Sequence, residues 1–172
     1  MTVTSLQMRL VLTDCMCGDL VLFEVAPNLH HLSVACQDVN SVPNNQHIGD
    51  YSVDPDIVEL LSYCTNLCTL EISGMSDGSI TKLARALQAP DFLTRLSTLA
   101  LESTGVGQTG LEDEEAEELA KTLSGNTSLT ALTLSNHRVG FSGARALSDS
   151  LANNTTLKSL NMSSNFQECC DT

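Results

Sequence analysis

The chain has 172 residues and carries 21 acidic against 8 basic side chains, which gives a formal net charge of −13. Its hydrophobic fraction of 42% is too high for an intrinsically disordered chain, and its length suits one domain or one stretch of a repeat array. No apolar run approaches the roughly 18 residues of a membrane span, and the acidity disfavours general electrostatic binding to nucleic acid or anionic membranes.

The N-terminal residues lack the pattern of a secretory signal. Met1 to Leu12 contain one charge, Arg9, and no long apolar core followed by a small-residue cleavage site. An odd number of cysteines scattered along the chain is not the pattern of a disulfide framework. We therefore expect a cytoplasmic protein with reduced thiols at Cys15, Cys17, Cys36, Cys64, Cys68, Cys169 and Cys170.

One short phrase recurs along the chain: an apolar residue, two residues, an apolar residue, one residue and a third apolar residue. The first copy is degenerate, starts at Gln7 and keeps Leu10 and Leu12. The later copies begin at Leu29, Leu67, Leu96, Leu129 and Leu157. Each copy is predicted to be a short strand. Three residues after the last apolar position stand Cys15, Gln37, Met75, Thr104, His137 and Asn165.

Helical spacing replaces this phrase between the predicted strands. Asp19 to Ala26 is long enough for only a turn or two of helix, and Asp54-Pro55 has the residue types of an N-cap and a first helical position. Gly125 stands where a glycine that ends a helix is expected. The helical stripes are Ile80, Leu83, Ala84 and Leu87; Leu119, Ala120 and Leu123; and Ala144, Leu147 and Leu151.

Each predicted unit is one strand and one helix, and neither can bury its apolar face alone. Stacking the units aligns the strands into a parallel sheet on the concave side of a curved array, with the helices outside. We therefore predict an α/β horseshoe segment of about six repeats.

The segment from Gly140 to Asn165 resembles the ribonuclease-inhibitor type of leucine-rich repeat, and the resemblance extends from about Leu67 to Asn165. It implies a right-handed βα solenoid that binds proteins as a rigid curved scaffold, without selecting a member of the family. Residues 1–172 then form one leucine-rich-repeat domain, with irregular N-terminal repeats at 1–66, regular repeats at 67–165 and a tail at 166–172.

Alternation along the strands places every second residue on the concave face. The face is rich in small hydroxyl residues and has no aromatic one, and Arg9 alone belongs to the types enriched at interface hot spots. A solvated face and a face that accepts a closely packed helix or strand both stay open. Its predicted members are Arg9, Val11, Thr13, His31, Ser33, Ala35, Thr69, Glu71, Ser73, Thr98, Ala100, Glu102, Ala131, Thr133, Ser135, Ser159, Asn161 and Ser163.

Two insertions lengthen the repeats, at Gln37 to Asp54 and at Gly105 to Glu115. Both follow a strand and precede a helix, so we expect them on one rim, about 10 Å apart. Long loops on a rigid scaffold often carry binding residues, although length variation there is also tolerated. The candidate partner-binding residues are Asn44, Asn45, His47, Tyr51, Glu112, Asp113, Glu114 and Glu115.

Six carboxylates crowd into residues 112–118. In the first turn of a helix they interact favourably with the helix dipole, and they would also suit a partner with a basic surface. They follow Gly105-Val-Gly107-Gln-Thr-Gly110, which matches a dinucleotide-binding motif, but carboxylates at that helix start would repel a pyrophosphate. No other catalytic or metal-ligand spacing is present, so we predict no enzyme activity, no cofactor and no metal.

The leading functional prediction is a non-catalytic protein–protein interaction module that serves as a scaffold or structural subunit of a larger assembly. The partners are expected to be proteins rather than nucleic acid or membranes. Since no polar capping unit follows Asn165, an end-to-end contact with another chain or with the remainder of a longer array is also expected. The alternative is a regulator of a small GTPase that resembles the Ran GTPase activator, with Arg138 as its candidate residue.

Overall fold

The structure is a computed structural model that describes residues 6–12, 26–36, 61–74, 83, 95–103 and 110–165. The strands are β1 Leu6–Leu12, β2 Leu29–Cys36, β3 Thr69–Ser73, β4 Thr98–Glu102, β5 Ala131–Ser135 and β6 Ser159–Asn161. A 3₁₀ helix spans Ala26–Asn28, and two longer helices are α1 Asp113–Leu123 and α2 Phe141–Leu151. Residues 61–63 and Leu83 are also helical. The described chain therefore has an α/β fold, as the sequence predicts.

The six strands form one sheet in chain order, and every neighbouring pair is parallel. The recurring phrases of β2 to β6 lie in register, because their middle apolar residues pair directly with one another. This row consists of Leu32, Leu70, Leu99, Leu132 and Leu160. Because neighbouring strands are parallel, the chain must return between them to the end of the sheet at which every strand begins. Helices α1 and α2 lie in two of these connections.

Alternating burial explains why these short segments are strands. In β3, Leu70 and Ile72 are buried, while the residues between and beside them are half-buried. One continuous core joins the apolar side of the sheet to helical residues such as Leu119 and Leu147. Full burial of one such side chain contributes roughly 1.5–3 kcal/mol, so the row of leucines is a major source of stability.

The first strand differs from the predicted register by two residues. Met8 pairs with Leu32, and Leu10 pairs with Val34, whereas the phrase predicts Leu10 beside Leu32. Met8, Leu10 and Leu12 stand at every second position of the sequence, so both alignments pair apolar residues of β1 with apolar residues of β2. The shift keeps Arg9 in register with Ser33, an inner-face position. The repeat position given to Cys15 therefore falls on Thr13, which lies outside the described residues.

The predicted stripe of α1 is confirmed, whereas that of α2 is partly wrong. Leu119, Ala120 and Leu123 are all buried. In α2, Leu147 is buried, but Ala144 is exposed and Leu151 is half-buried. The reason is that α2 packs against α1 on one side, while in the described part of the chain no helix covers its other side.

Three other predicted helix features fall partly or wholly outside the described residues. Of the stripe around Leu83, that residue alone is described, and it is helical and buried. The segment 19–25 and the predicted N-cap at Asp54 are not among the described residues. Gly125 does follow α1, but its φ is not positive, and Ser124 ends the helix in a right-handed conformation.

Candidate functional site

The eight candidate residues divide into two groups. Glu112, Asp113, Glu114 and Glu115 lie at the start of α1. The other four, Asn44, Asn45, His47 and Tyr51, lie outside the described residues, as do residues 105–109 of the second insertion. The predicted proximity of the two insertions therefore also concerns residues outside the described ones.

Glu112 and Glu115 are bonded within the start of their own helix and to the next loop. Glu112 is the N-cap residue of α1, and its backbone N–H donates to Oε2 of Glu115 at 3.1 Å. The Glu112 carboxylate accepts a hydrogen bond from Arg138 at 2.7 Å. Both side chains of this ion pair are substantially exposed, so it contributes at most about 1 kcal/mol. Arg138, on which the GTPase-regulator interpretation depends, thus has a carboxylate partner.

Asp113 caps the following helix rather than its own. Its Oδ1 accepts hydrogen bonds from the backbone N–H groups of Gly140, at 2.6 Å, and Gly143, at 3.0 Å. Its Oδ2 accepts from the hydroxyl of Ser142 at 2.5 Å. Gly140 is the N-cap of α2 and has no side chain to satisfy these groups. The carboxylate of one helix therefore completes the N-terminus of the next.

The surroundings of Asp113 favour its ionised form. Burial alone would raise the pKa of this carboxyl, but the hydrogen bonds from Ser142, Gly143 and Gly140 outweigh burial and hold the pKa below its usual value. Since the bonds depend on a charged acceptor, α2 is capped most strongly when Asp113 is ionised.

The remaining carboxylates of α1 form an exposed acidic face, which we define as Glu114, Glu117 and Glu118. Glu114 and Glu117 are exposed, and Glu118 is half-buried and bonded to Lys121. Residues three and four apart lie on one side of a helix, so these side chains project together. The opposite side, which includes Ala116 and Leu119, is buried in the core. The core therefore fixes the direction in which the acidic face points.

His137 is buried and bridges two preceding segments of the chain. It is 1% exposed, and its Nδ1 accepts from the backbone N–H of Leu111 at 3.1 Å. Because Nδ1 is an acceptor, Nε2 carries the proton, which it donates to the carbonyl of Leu101 at 2.9 Å. These partners lie 26 and 36 residues earlier in the chain, so the bonds join segments that are distant in sequence. Burial lowers the pKa of His137, against the opposing effects of the Leu101 carbonyl and of Glu102.

Asn165 makes the equivalent bonds one unit later. Its Nδ2 donates to the carbonyl of Leu134 at 2.7 Å, and its Oδ1 accepts from the backbone N–H of Val139 at 3.2 Å. Leu134 and Leu101 are register partners in neighbouring strands. His137 and Asn165 thus fix successive loops to successive strands.

The predicted inner face of the sheet is polar and partly accessible. Its described members in β2 to β6 are half-buried or exposed, except Ser135, which is 5% exposed. On this face Nε2 of His31 lies 3.5 Å from Oε2 of Glu71. The face therefore offers small polar side chains and two carboxylates, Glu71 and Glu102.

Comparison with known proteins gives this chain no family. No protein-family model matches it, and no curated protein matches it at the significance threshold applied. Among the residues that the structure describes, no helix has the length and apolarity to cross a membrane. In the same residues, no three His, Cys, Asp or Glu side chains are grouped as a metal site would require.

The sequence prediction missed the structural roles of Asp113 and His137, although a signal for both is present. The starts of α1 and α2 are 28 residues apart, from 113 to 141, and His137 and Asn165 are also 28 residues apart. A glycine at the N-cap of one helix, together with a carboxylate at the start of the helix before it, could have indicated that the earlier helix caps the later one.

Proposed function

We propose that this chain is a non-catalytic protein–protein interaction module, built as a single leucine-rich-repeat solenoid and acting as a scaffold in the cytoplasm. The in-register parallel strands and the equivalent bonds of His137 and Asn165 support a repeating construction. The odd number of scattered cysteines supports the location.

The observation that carries the proposal is the difference among the carboxylates of α1. Glu112, Asp113 and Glu115 are bonded to the protein itself. Glu114 and Glu117 are exposed, on a helix whose other side is fixed in the core. A charged surface held in one orientation loses little conformational entropy on binding and steers an oppositely charged partner. We therefore propose a protein partner with a basic surface, which binds the acidic face and the adjoining rim.

A capture experiment tests this proposal. The full chain, immobilised at low salt, is used to capture proteins that are identified by mass spectrometry, in parallel with the variant Glu114→Gln/Glu117→Gln. We expect this variant to lose the basic partners, because it removes exposed charge without disturbing the bonds of Glu112 or Asp113. Deleting residues 37–54 tests the contribution of the first insertion.

The matched control is Glu71→Gln/Glu102→Gln, which removes the same charge from the inner face of the sheet. It should capture the same proteins as the unmodified chain. If the inner-face variant loses the partners and the helix variant keeps them, the acidic face is not the binding surface. If both variants and the deletion capture the same proteins as the unmodified chain, the proposal is wrong.

We do not extend the proposal to regulation of a GTPase. The candidate residue Arg138 donates to Glu112 at 2.7 Å, and no described residue beside it supplies a reason to prefer that function.

A further inference from the structure

The side of α2 that faces away from α1 carries an accessible stripe, which we call the outer stripe: Phe141, Ala144, Ser148 and Leu151. Phe141 is 72% exposed, Ala144 and Ser148 are exposed, and Leu151 is half-buried. Gly143 marks the opposite side, because a Cβ there would meet Asp113 and Ala116 of α1. The spacing of three, four and three residues aligns the outer stripe along the helix.

The outer stripe has a buried counterpart 28 residues earlier. The equivalent positions of α1 are Asp113, Ala116, Ala120 and Leu123, counted from the first residue of each helix. Ala116 and Leu123 are 0% exposed and Ala120 is 3% exposed, and α1 is in contact with α2. A stripe at these positions is therefore one that packs against another helix.

In the described part of the chain, β6 has a neighbouring strand on one side, so the strand layer is also open beside α2. Leu160 of β6 pairs with Leu132 of β5. Leu160 is 39% exposed, whereas Leu132 is 1% exposed. The outer stripe and Leu160 thus present apolar surface from both layers.

One difference between the two stripes indicates in which direction a helix packed on the outer stripe would run. In α1 the first residue is Asp113, which caps the N-terminus of the parallel helix beside it. In α2 the first residue is Phe141, which cannot accept hydrogen bonds. A second parallel helix would lack this cap, whereas an antiparallel helix would place its C-terminal end beside Phe141 and need no acceptor there.

In that antiparallel arrangement, the outer stripe and its flanking charges of one α2 are complementary to those of a second α2. Residues 141 and 151, and residues 144 and 148, have the same midpoint at 146, so a two-fold axis there pairs Phe141 with Leu151 and Ala144 with Ser148. The exposed pair Arg145 and Asp149 has its midpoint at 147, one residue from this axis. Each charge would therefore lie within about 3 Å, measured along the helix, of the opposite charge of the other copy.

We propose that the outer stripe binds a second copy of this chain, with α2 antiparallel to α2 and β6 beside β6 across a two-fold axis. This axis runs from the helix layer to the sheet layer, so it brings like layers together and covers Leu160 as well as the stripe. The inference does not depend on the basic partner proposed above, which would bind α1 on another side.

The test is sedimentation equilibrium of the full chain over a wide range of protein concentration. The unmodified chain should dimerise, and Ala144→Arg should weaken dimerisation by about tenfold or more, since it places a charge and excess volume at the centre of the contact. Thr127→Arg adds the same charge at an exposed position between α1 and β5, outside the outer stripe, and should leave dimerisation unchanged. Circular dichroism confirms that each variant is folded.

Charge reversal tests the antiparallel arrangement itself. Arg145→Asp and Asp149→Arg should each weaken the dimer, because like charges then face one another, and the double reversal should restore it. Glu117→Arg is the matched control for Asp149→Arg. The proposal is overturned if the chain stays monomeric. It is also overturned if the chain dimerises only after residues 166–172 are deleted, because that segment then covers the outer stripe. A dimer that Ala144→Arg or both single reversals leave intact also overturns it.

Discussion

His137 and Asn165 show how two different side chains perform one structural task. Each donates one hydrogen bond to a strand carbonyl and accepts one from the N–H of a following loop. A neutral imidazole with its proton on Nε2 presents a donor and an acceptor on separate atoms, as a carboxamide does. The larger ring bridges the carbonyl of Leu101 in β4 and the backbone N–H of Leu111 in the second insertion.

Replacing His137 tests this equivalence. His137→Ala should reduce the free energy of unfolding by about 2–6 kcal/mol, since it leaves two buried backbone groups without partners, at about 1–3 kcal/mol each. His137→Asn should lose less, because an amide can bond both groups. Urea unfolding of the two variants measures the difference. Equal losses would mean that volume rather than hydrogen bonding determines the effect.

The lowered pKa of His137 predicts a pH dependence of stability. In the unfolded chain the imidazole binds a proton near pH 6.5, whereas in the folded chain it does so only at lower pH. The unfolded state therefore binds more protons below pH 6.5, and stability falls as pH decreases through this range, by at most about 1.4 kcal/mol per pH unit. The difference between the pH profiles of the unmodified chain and His137→Asn isolates this group. Parallel profiles would contradict the prediction.

At the scale of elements, the contact between α1 and α2 is determined by one acid and one glycine. Asp113 supplies the cap that Gly140 cannot, and Gly143 allows the helices to approach closely. A helix start is intrinsically weak because its first N–H groups lack partners. Here that weakness is removed by the neighbouring helix, so the two helices stabilise each other.

Substitution of Asp113 measures the cap. Asp113→Ala should destabilise the protein by about 1 kcal/mol, as expected for a lost N-cap acceptor, and Asp113→Asn should cost less because its oxygen can still accept. Since the folded pKa of Asp113 is lowered, the ionised cap stabilises above about pH 4 and its contribution disappears as pH falls further. Thermal unfolding checks both effects, with the exposed Glu117→Ala as a control that should change stability by less than about 0.5 kcal/mol.

Two glycine substitutions separate helix propensity from packing. A Cβ at Gly143 would lie 2.8 Å from Oδ1 of Asp113 and 2.9 Å from both the Ala116 and Val139 side chains. Gly143→Ala should therefore destabilise by about 1–3 kcal/mol despite its better helix propensity. At Gly125 the space is open, so Gly125→Ala should be neutral or slightly stabilising. Denaturant midpoints compare the two, and a stabilised Gly143→Ala would show that the helices can separate without cost.

At the scale of the whole molecule, position along the sheet determines how much a leucine contributes. Leu132 and Leu160 occupy the same place in the recurring phrase and pair with each other. Leu132 has a strand on each side, in β4 and β6, whereas Leu160 has β5 on one side in the described structure. The same sequence position is therefore core in one unit and accessible in the next.

Alanine substitution at both leucines measures this gradient. Leu132→Ala should cost about 2–5 kcal/mol, as for a fully buried leucine, whereas Leu160→Ala should cost about 1 kcal/mol or less in a dilute monomer. The measurement is urea unfolding at the lowest workable protein concentration, so that self-association does not contribute. Similar losses at the two positions would mean that Leu160 is covered in solution.

The sequence by itself determined the strands, their parallel order and the buried rows of β2 to β5, because alternating leucines at core positions have one favourable arrangement. It also identified the acidic start of α1, because charge clusters are visible without coordinates. Only the tertiary structure decided the register of β1, which two alignments satisfy equally, and the exposure of Ala144, which depends on what lies beside α2. It likewise showed that Asp113 and His137 bond backbone groups many residues away, since local pattern does not specify the partners of a polar side chain.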